Sequence, residues 1–223
     1  MLRLEIELND LKNQVLEMWQ LVYSQLEKTR NSYLTMSRDL AFEVMSMERK
    51  VDAFELLIDQ MCEQLLALKH PVAIDLRFIL SSLKINGNLE RIGDLAYGIA
   101  RLVFELTHTR FDPMTAKNMH IEEMFDETLE MLLIVKNAFE KEDNKRVSEV
   151  LSKDDLLDEI DREAYHQIAN KSGLFPEEIQ QSLLIFNIIR KLERIGDHCS
   201  NIAEEITFYI DAVVLKHGGG VEN

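Results

Sequence analysis

The same six residues, LERIGD, occur twice in this chain, at positions 89–94 and again at positions 192–197. The similarity continues outside the hexamer at the same separation. Four further pairs match: Leu80 with Leu183, Ile85 with Ile188, Ile99 with Ile202, and Ala100 with Ala203. The positions between them differ, as in two copies of one helix that share only a buried face. An internal repeat constrains the fold strongly, because one structural unit must be built twice.

Apolar residues recur at spacings of three and four along most of the chain, which is the period of an amphipathic helix. This pattern predicts six helices, over residues ~3–30, ~38–69, ~71–109, ~113–141, ~144–171 and ~176–215. The predicted breaks are the polar stretch 31–39, Pro71, Asp112-Pro113, Asp143-Asn144 and Gly173. Proline and capping residues end or begin helices at such positions.

Long helices joined by short turns must run antiparallel to their neighbours. We therefore predict an all-α fold, a tandem repeat of two antiparallel three-helix bundles. Residues 1–111 form the first bundle, residues 112–217 the second, and residues 218–223 a flexible tail.

The composition excludes several classes of function. A net charge of -15 over 223 residues disfavours binding of nucleic acid or of an anionic lipid surface. No apolar run approaches the roughly 20 residues of a spanning helix, so we expect no direct membrane insertion. The two cysteines, Cys62 and Cys199, lack the spacing of a disulfide framework or a thiolate zinc site. Acidic residues from Glu5 onward do not fit a signal peptide, and we expect a cytoplasmic protein.

Each hexamer carries two carboxylates four residues apart, so that both lie on one face of the helix. In the first copy these are Glu90 and Asp94, and in the second they are Glu193 and Asp197. The second helix of each bundle carries a matching acidic line, with Glu48, Asp52, Glu55 and Asp59 in the first and Asp154, Asp158 and Asp161 in the second. If the second and third helices are neighbours, the two sets of carboxylates converge.

Two interpretations of these carboxylates remain open from the spacing alone. In one, Arg91 and Arg194 pair with the aspartates three residues on and the face is simply solvated. In the other, the carboxylates chelate a cation, and all-oxygen ligands favour Mg²⁺, Ca²⁺, Mn²⁺ or iron. Glu90 and Asp94 lie roughly opposite the apolar stripe of their helix. They are therefore predicted to be surface groups without desolvated, shifted pKa values.

Other patterns are weaker. Gly93 and Gly196, inside predicted helices, indicate a close approach of a neighbouring helix or ligand, because glycine costs about 1 kcal/mol there relative to alanine. The pairs Glu105-x-x-His108 and Glu163-x-x-His166 have the spacing of di-iron bundles, but they lie at non-equivalent places in the repeat. His198 is a candidate nitrogen ligand beside Asp197. No nucleophile constellation, phosphate loop or dinucleotide fingerprint is present.

The doubled hexamer, placed in the last helix of each three-helix unit, resembles the PhoU family of phosphate-signalling regulators. The second copy is the fuller match, over residues 192–205, and the first adds Asp75-Leu76-Arg77 and Leu83-Lys84-Ile85. Leu95 and Gly98 depart from the family pattern, where His and Asn are usual. We expect these departures to remove polar groups from the first site and to make the two sites unequal.

The resemblance implies a non-enzymatic negative regulator of phosphate uptake and of the phosphate-starvation response. Its implied partners are the ATPase subunit of a phosphate transporter and a phosphate-sensing histidine kinase, and a homodimer is expected. The resemblance also implies metal ions, with iron, manganese, magnesium and zinc all open. The implied ligands are Glu48, Asp52, Glu90, Asp94, Asp154, Asp158, Glu193 and Asp197. Two alternatives are a carboxylate-bridged metalloenzyme and a metal-free helical adaptor.

Overall fold

A computed structural model of the chain describes residues 2–106, 119–170 and 176–212. These residues form six helices and no strand, which confirms the all-α prediction. The helices are α1 Leu2–Thr35, α2 Arg38–Lys69, α3 Ala73–Leu106, α4 Ile121–Lys141, α5 Val147–Ala169 and α6 Pro176–Asp211. Over these ranges, no helix has the length and apolar character needed to cross a membrane. The break at Asp112-Pro113, the cap at Gly173 and the tail 218–223 lie outside the described residues.

The first helix is longer than predicted, because residues 31–35 continue α1 instead of forming a turn. The polar side chains of this segment bond within their own helix: Thr35 Oγ1 donates to the Asn31 carbonyl at 2.7 Å. Tyr33 is buried in the same turn, and its ring lies 5.7 Å from that of Phe125 on α4. Tertiary packing therefore overrides the polar composition of this segment.

Three helices begin later than the apolar pattern predicts. Helix α3 begins at Ala73, after His70 turns the chain with a left-handed φ of 49° and Pro71 follows it. Helix α4 begins at Ile121, and the left-handed φ of 55° at His120 separates it from the residues before. Helix α5 begins at Val147 instead of ~144, because Asn144 closes a turn by accepting a hydrogen bond from the Val147 N–H at 2.9 Å.

The helices pack as two groups of three, α1–α3 and α4–α6, as the repeat predicts. The two bundles are not separate bodies, since α3 packs on α6 as extensively as on α2, and α1 also contacts α4. One apolar core runs through both bundles. Trp19 on α1 is fully buried in it and donates its indole N–H to the Leu132 carbonyl of α4 at 3.2 Å. The bundle boundary at residues 111/112 lies outside the described ranges and stays a prediction.

Helices α3 and α6 run antiparallel, with the two hexamers side by side. Ser81 Oγ donates to the Glu205 carbonyl at 3.1 Å, while further along α3 Asn88 Oδ1 lies 2.9 Å from His198 Nδ1. Rising numbers on one helix thus meet falling numbers on the other, and residues 89–94 lie opposite residues 192–197. The predicted stripe of α3 is fully buried: Ile85, Leu89, Ile92, Ala96, Ile99 and Val103.

Each hexamer glycine lies where a neighbouring helix approaches closely, as predicted. A Cβ added at Gly93 would lie 3.2 Å from both Gln25 Oε1 of α1 and Val51 Cγ1 of α2. At Gly196 the contact is closer, with Leu157 Cδ1 of α5 at 2.5 Å and Asp154 Oδ1 at 2.9 Å. The missing side chain lets α5 approach α6 closely at the hexamer.

Replacing Gly196 with alanine is expected to lower the free energy of unfolding by about 1–3 kcal/mol, because the new Cβ overlaps the buried Leu157 side chain. Gly87→Ala is the matched control, since a Cβ there has no atom within 4 Å. It should stabilise the protein by about 0.5–1 kcal/mol through helix propensity. Urea denaturation followed by circular dichroism measures both, and equal stability of the two variants would contradict the close-contact assignment.

Candidate metal centres

Helices α2 and α3 bring the carboxylates of the first bundle together in one groove. Glu48 of α2 shares a hydrogen bond with Asp94 of α3, and it is also close enough to Asp52 and Glu90 to feel their charges. Glu55 of α2 is close enough to Asp52 and Asp94 for their charges to raise its pKa. A hydrogen bond between two carboxyl groups requires that one of them hold a proton. We call these five residues the first cluster.

Burial is the main reason that the acids of the first cluster resist ionisation. It raises the pKa of Glu48 to about 7, and the charge of Asp94 adds to the effect. Burial likewise raises the pKa of Glu90 to about 7, with a further increase from Asp94. Glu55 also has a raised pKa, chiefly from burial and then from Asp59.

The prediction that Glu90 is a surface group with an ordinary pKa is therefore wrong. Its side chain is only 16% exposed. Residues opposite the apolar stripe of an isolated helix would face water, but α3 contacts α1, α2 and α6 at once. Helix α2 covers the side of α3 that carries Glu90. Asp94 is more open, at 36% side-chain exposure.

Among the described residues, one arginine contacts the first cluster directly. Arg91 lies 3.1 Å from Asp94 Oδ2 and 3.4 Å from Glu90 Oε2. This is the pairing that the solvated-face interpretation predicts for the first hexamer. Arg91 does not satisfy the whole cluster, because Glu48 Oε2 is buried and has no hydrogen-bond partner among the described residues.

Helices α5 and α6 form a second cluster from Asp154, Asp158, Asp161, Glu193 and Asp197. Glu193 is 14% exposed, and burial raises its pKa to about 7, with Asp197 contributing further. Burial also raises the pKa of Asp158, and Asp197 is again the next contribution. The carboxylate of Asp154 lies beside Gly196. Burial raises the pKa of Cys199, and the charge of Asp154 raises it further.

The arginine of the second cluster is not the one that the sequence predicts. No ion pair joins Arg194 to Asp197 in the part of the chain described. Arg190 instead lies 2.8 Å from Asp161 Oδ2 and 3.7 Å from Glu193 Oε1. Asp161 Oδ1 and Glu193 Oε2 remain buried without a hydrogen-bond partner within the described ranges. A cavity of about 450 Å³ opens beside them, lined by Asp158, Asp161, Arg162, Tyr165, Phe186, Arg190 and Glu193.

The other candidate ligands lie elsewhere. His198 Nδ1 is 2.9 Å from Asn88 Oδ1, across the contact between α3 and α6. Gly98 faces α6 as well, since a Cβ there would lie 2.8 Å from Lys191 Nζ. The departure at Gly98 was expected to alter the first cluster. It lies instead at the contact between the bundles. His108 lies outside the described residues, while Glu163 and His166 are both exposed.

The side chains are not already arranged as a closed cation site. Within the described ranges, no three His, Cys, Asp or Glu side chains surround a point that could hold a metal ion. The residues nevertheless fit a cation, because each cluster holds buried carboxylate oxygens without a partner, at Glu48, Asp161 and Glu193. Protons supply the missing positive charge at neutral pH or below. A hard cation that prefers oxygen ligands would supply this charge in place of the protons, once the carboxylate side chains rotate to face it.

Comparison with known proteins places the chain in a family. The PhoU domain model matches residues 15–103 and 121–206, one match in each bundle. The phosphate-specific transport system accessory protein PhoU of Escherichia coli strain K12 is 30% identical over 216 residues, which covers 97% of this chain and 88% of the relative. The corresponding protein of Edwardsiella tarda is 30% identical over 214 residues, covering 96% and 87%.

Solved structures agree. The crystal structure of PhoU from Pseudomonas aeruginosa superposes with a TM-score of 0.88 at 29% identity, covering 93% of this chain and 99% of that one. The phosphate transport system regulatory protein PhoU from Streptococcus pneumoniae, at 24% identity and a TM-score of 0.82, shares the fold over 96% of this chain and 99% of its own. The doubled hexamer, the paired bundles and these matches lead to one conclusion: the chain belongs to the PhoU family.

Proposed function

We propose that this protein is a negative regulator of phosphate uptake and of the phosphate-starvation response. It acts through metal-dependent contacts with the ATPase subunit of a phosphate transporter and with a phosphate-sensing histidine kinase. The family match over both repeats supports the link to phosphate transport, since the curated relatives are phosphate transport accessory proteins. The buried carboxylates of the two clusters support the metal dependence.

In this proposal each cluster holds cations in the groove between two helices. The ligands are Glu48, Asp52, Glu90 and Asp94 in the first cluster, and Asp154, Asp158, Glu193 and Asp197 in the second. A bound cation supplies positive charge that replaces the protons on these carboxylates. Oxygen ligands suit magnesium, manganese or iron, and zinc remains open.

The charge state of the carboxylates affects how tightly the helices pack. Their mutual repulsion acts between α2 and α3 and between α5 and α6, so neutralising it strengthens both helix contacts. The surface of each groove, which includes the exposed Asp52, Asp158 and Asp197, then becomes a fixed surface for a partner protein. We propose that the kinase and the ATPase distinguish this state from the repelled one.

A regulator fits the structure better than the two alternatives. A di-iron enzyme of the bundle type would need a Glu-x-x-His pair directed into the interior, and Glu163 and His166 are exposed. A metal-free adaptor would not require carboxylates to be half-buried with unpartnered oxygens. We further propose a cytoplasmic homodimer, supported by exposed apolar side chains on α2: Phe42, Leu56 and Leu68.

Replacing Glu193 and Asp197 together by alanine should lower the metal content of the purified protein by about half, because one of two clusters loses its α6 ligands. The control is Glu159→Ala with Glu163→Ala, which removes the same charge from exposed positions of α5. Elemental analysis of protein purified without added metal measures the result, and circular dichroism checks that helicity is retained. Unchanged metal content in the first variant would refute the ligand assignment.

The metal-free protein is expected to lose stability as the pH rises from about 5 to about 8. Glu48, Glu90 and Glu193 have a folded-state pKa of about 7 against an ordinary value of 4.5. The folded chain therefore holds protons that the unfolded chain has released, and raising the pH favours unfolding.

Thermal unfolding in a chelator, measured across this pH range, tests the expectation. Added Mn²⁺ should raise the melting temperature most at the alkaline end, where the carboxylates are ionised. A melting temperature that increases steadily with pH in the chelator would contradict the raised pKa values.

The regulatory role is tested in a strain that lacks its own copy of this gene and carries a phosphate-starvation reporter. The wild-type chain should restore repression at high phosphate. A variant with Glu90, Asp94, Glu193 and Asp197 all replaced by alanine should leave the reporter several-fold higher at equal protein level, because neither groove can be fixed. Full repression by this variant would show that the clusters are not needed for signalling.

A further inference from the structure

Basic side chains of α3 and α6 meet where the contact between the two bundles reaches the surface. The Lys191 side chain of α6 lies across Gly98 of α3, where an added Cβ would be 2.8 Å from Lys191 Nζ and 3.0 Å from Cε. Arg101 follows Gly98 by three residues on α3, and Arg194 follows Lys191 by three residues on α6. Because the helices are antiparallel, the two arginines flank the ammonium group on opposite sides, each about one helical turn away. We call Arg101, Lys191 and Arg194 the basic patch.

The positive charges of the basic patch are not balanced by neighbouring acids. Within the described ranges, no ion pair joins any of its three residues to a carboxylate. Burial lowers the pKa of Lys191, and the charges of Arg194 and then Arg101 lower it further. Asp94 acts in the opposite direction, but this carboxylate is already paired with Arg91 at 3.1 Å. A half-buried ammonium group therefore lies between two guanidinium groups, although the chain has a net charge of -15.

The equivalent positions of the other repeat do not form a second basic patch. At the separation that aligns the two hexamers, the positions correspond as Lys191 with Asn88, Gly98 with Asn201, Arg101 with Glu204 and Arg194 with Arg91. Of these four pairs only the last is basic in both repeats, and Arg91 pairs with carboxylates of the first cluster. The absence of a side chain at Gly98 makes room for the Lys191 stem. The basic patch is therefore particular to one side of the contact and is not a by-product of the repeat.

The size and the donors of the basic patch fit a small oxyanion. A guanidinium group offers paired N–H donors that match the oxygens of a phosphate group, and an ammonium group adds further donors. Arg101 and Arg194 are exposed and Lys191 is half-buried, so the donors can reach a ligand from solvent. A large polyanion would be repelled by the net charge of the whole protein. A single small anion mainly experiences the three nearby positive charges, because more distant charges are screened.

We propose that the basic patch binds a small tetrahedral oxyanion of the phosphate class, either free phosphate or the phosphoryl group of a small ester. The bound oxygens accept hydrogen bonds from Lys191 and from the flanking guanidinium groups, which links α3 to α6 and offsets the repulsion among the three cations. This binding requires no metal and uses none of the proposed metal ligands. Its regulatory consequence rests on the proposed function: the regulator itself would respond to a phosphate-bearing ligand at the contact between its bundles.

The test is isothermal titration calorimetry of the full chain in a chelator at low ionic strength, with inorganic phosphate and glycerol 3-phosphate as separate probes. The wild type should bind one anion per chain, with a Kd in the millimolar range or tighter. The variants Arg101→Gln, Lys191→Gln and Arg194→Gln should each weaken binding by about tenfold, because each removes charge-assisted hydrogen bonds to the anion.

Lys145→Gln provides the control for net charge. Lys145 is 84% exposed in the turn between α4 and α5 and pairs with Asp143 at 3.0 Å, so its loss removes one positive charge outside the contact between α3 and α6. Its affinity for the anion should match that of the wild type. Circular dichroism of every variant checks that a change in binding is not a loss of folding.

The outcomes separate the ligands and separate this inference from the proposed function. Binding of either probe that weakens in the three patch variants but not in Lys145→Gln supports the site, and the probe that binds identifies free phosphate or a phosphate ester as the source. No binding of either probe, or binding that the patch variants leave unchanged, overturns the inference. Binding of a hexaglutamate peptide alone overturns it as well and assigns the patch to an acidic segment of a partner protein. Metal content is measured separately, so each of these failures leaves the metal-dependent regulation proposed above standing.

Discussion

The packing of α3 against α6 is the contact on which the rest of the structure depends. It joins the two bundles into one core, in which the apolar stripe of α3 is buried. The sides of α3 and α6 that carry the hexamer carboxylates are covered by α2 and α5. The acids are therefore enclosed by helices because the core is well packed, and not because any local feature draws carboxylates inward.

The resulting conflict is between burial and charge. Moving a carboxylate out of water favours its protonated form, and a second carboxylate nearby favours it further. Here burial is the larger cause at Glu48, Glu90 and Glu193, and the neighbouring aspartates come second. The small hexamer glycines intensify the conflict, because they let α2 and α5 approach more closely. A fold that tolerates this arrangement needs protons or cations in its grooves.

The sequence predicted the fold and the membership of each cluster, but not the environment of the carboxylates. Periodicity identifies the buried stripe of α3 and the helical spacing identifies the acidic lines, because both depend on one helix at a time. The exposure of Glu90 depends on the packing of several helices, so the prediction made from one isolated helix was wrong. Arg190 was missed for a related reason: its partner Asp161 is 29 residues away on α5. Position 190 is equivalent to position 87 of the first repeat, where the residue is Gly87. This difference between the repeats was the sequence signal for Arg190.

The contact between the bundles also brings positively charged side chains close to the first cluster. Lys191 of α6 crosses over Gly98 of α3, and the carboxylate that raises its pKa is Asp94 of the first cluster, although burial and then Arg194 and Arg101 lower that pKa overall. His198 of α6 has its pKa lowered first by burial and then by Arg194 and Arg91. Lysine and arginine side chains of both bundles therefore meet at this contact, beside the first cluster. Neutralising Asp94 removes a charge that favours the protonated form of Lys191, so a change in the first cluster alters the electrostatics of its contact with α6.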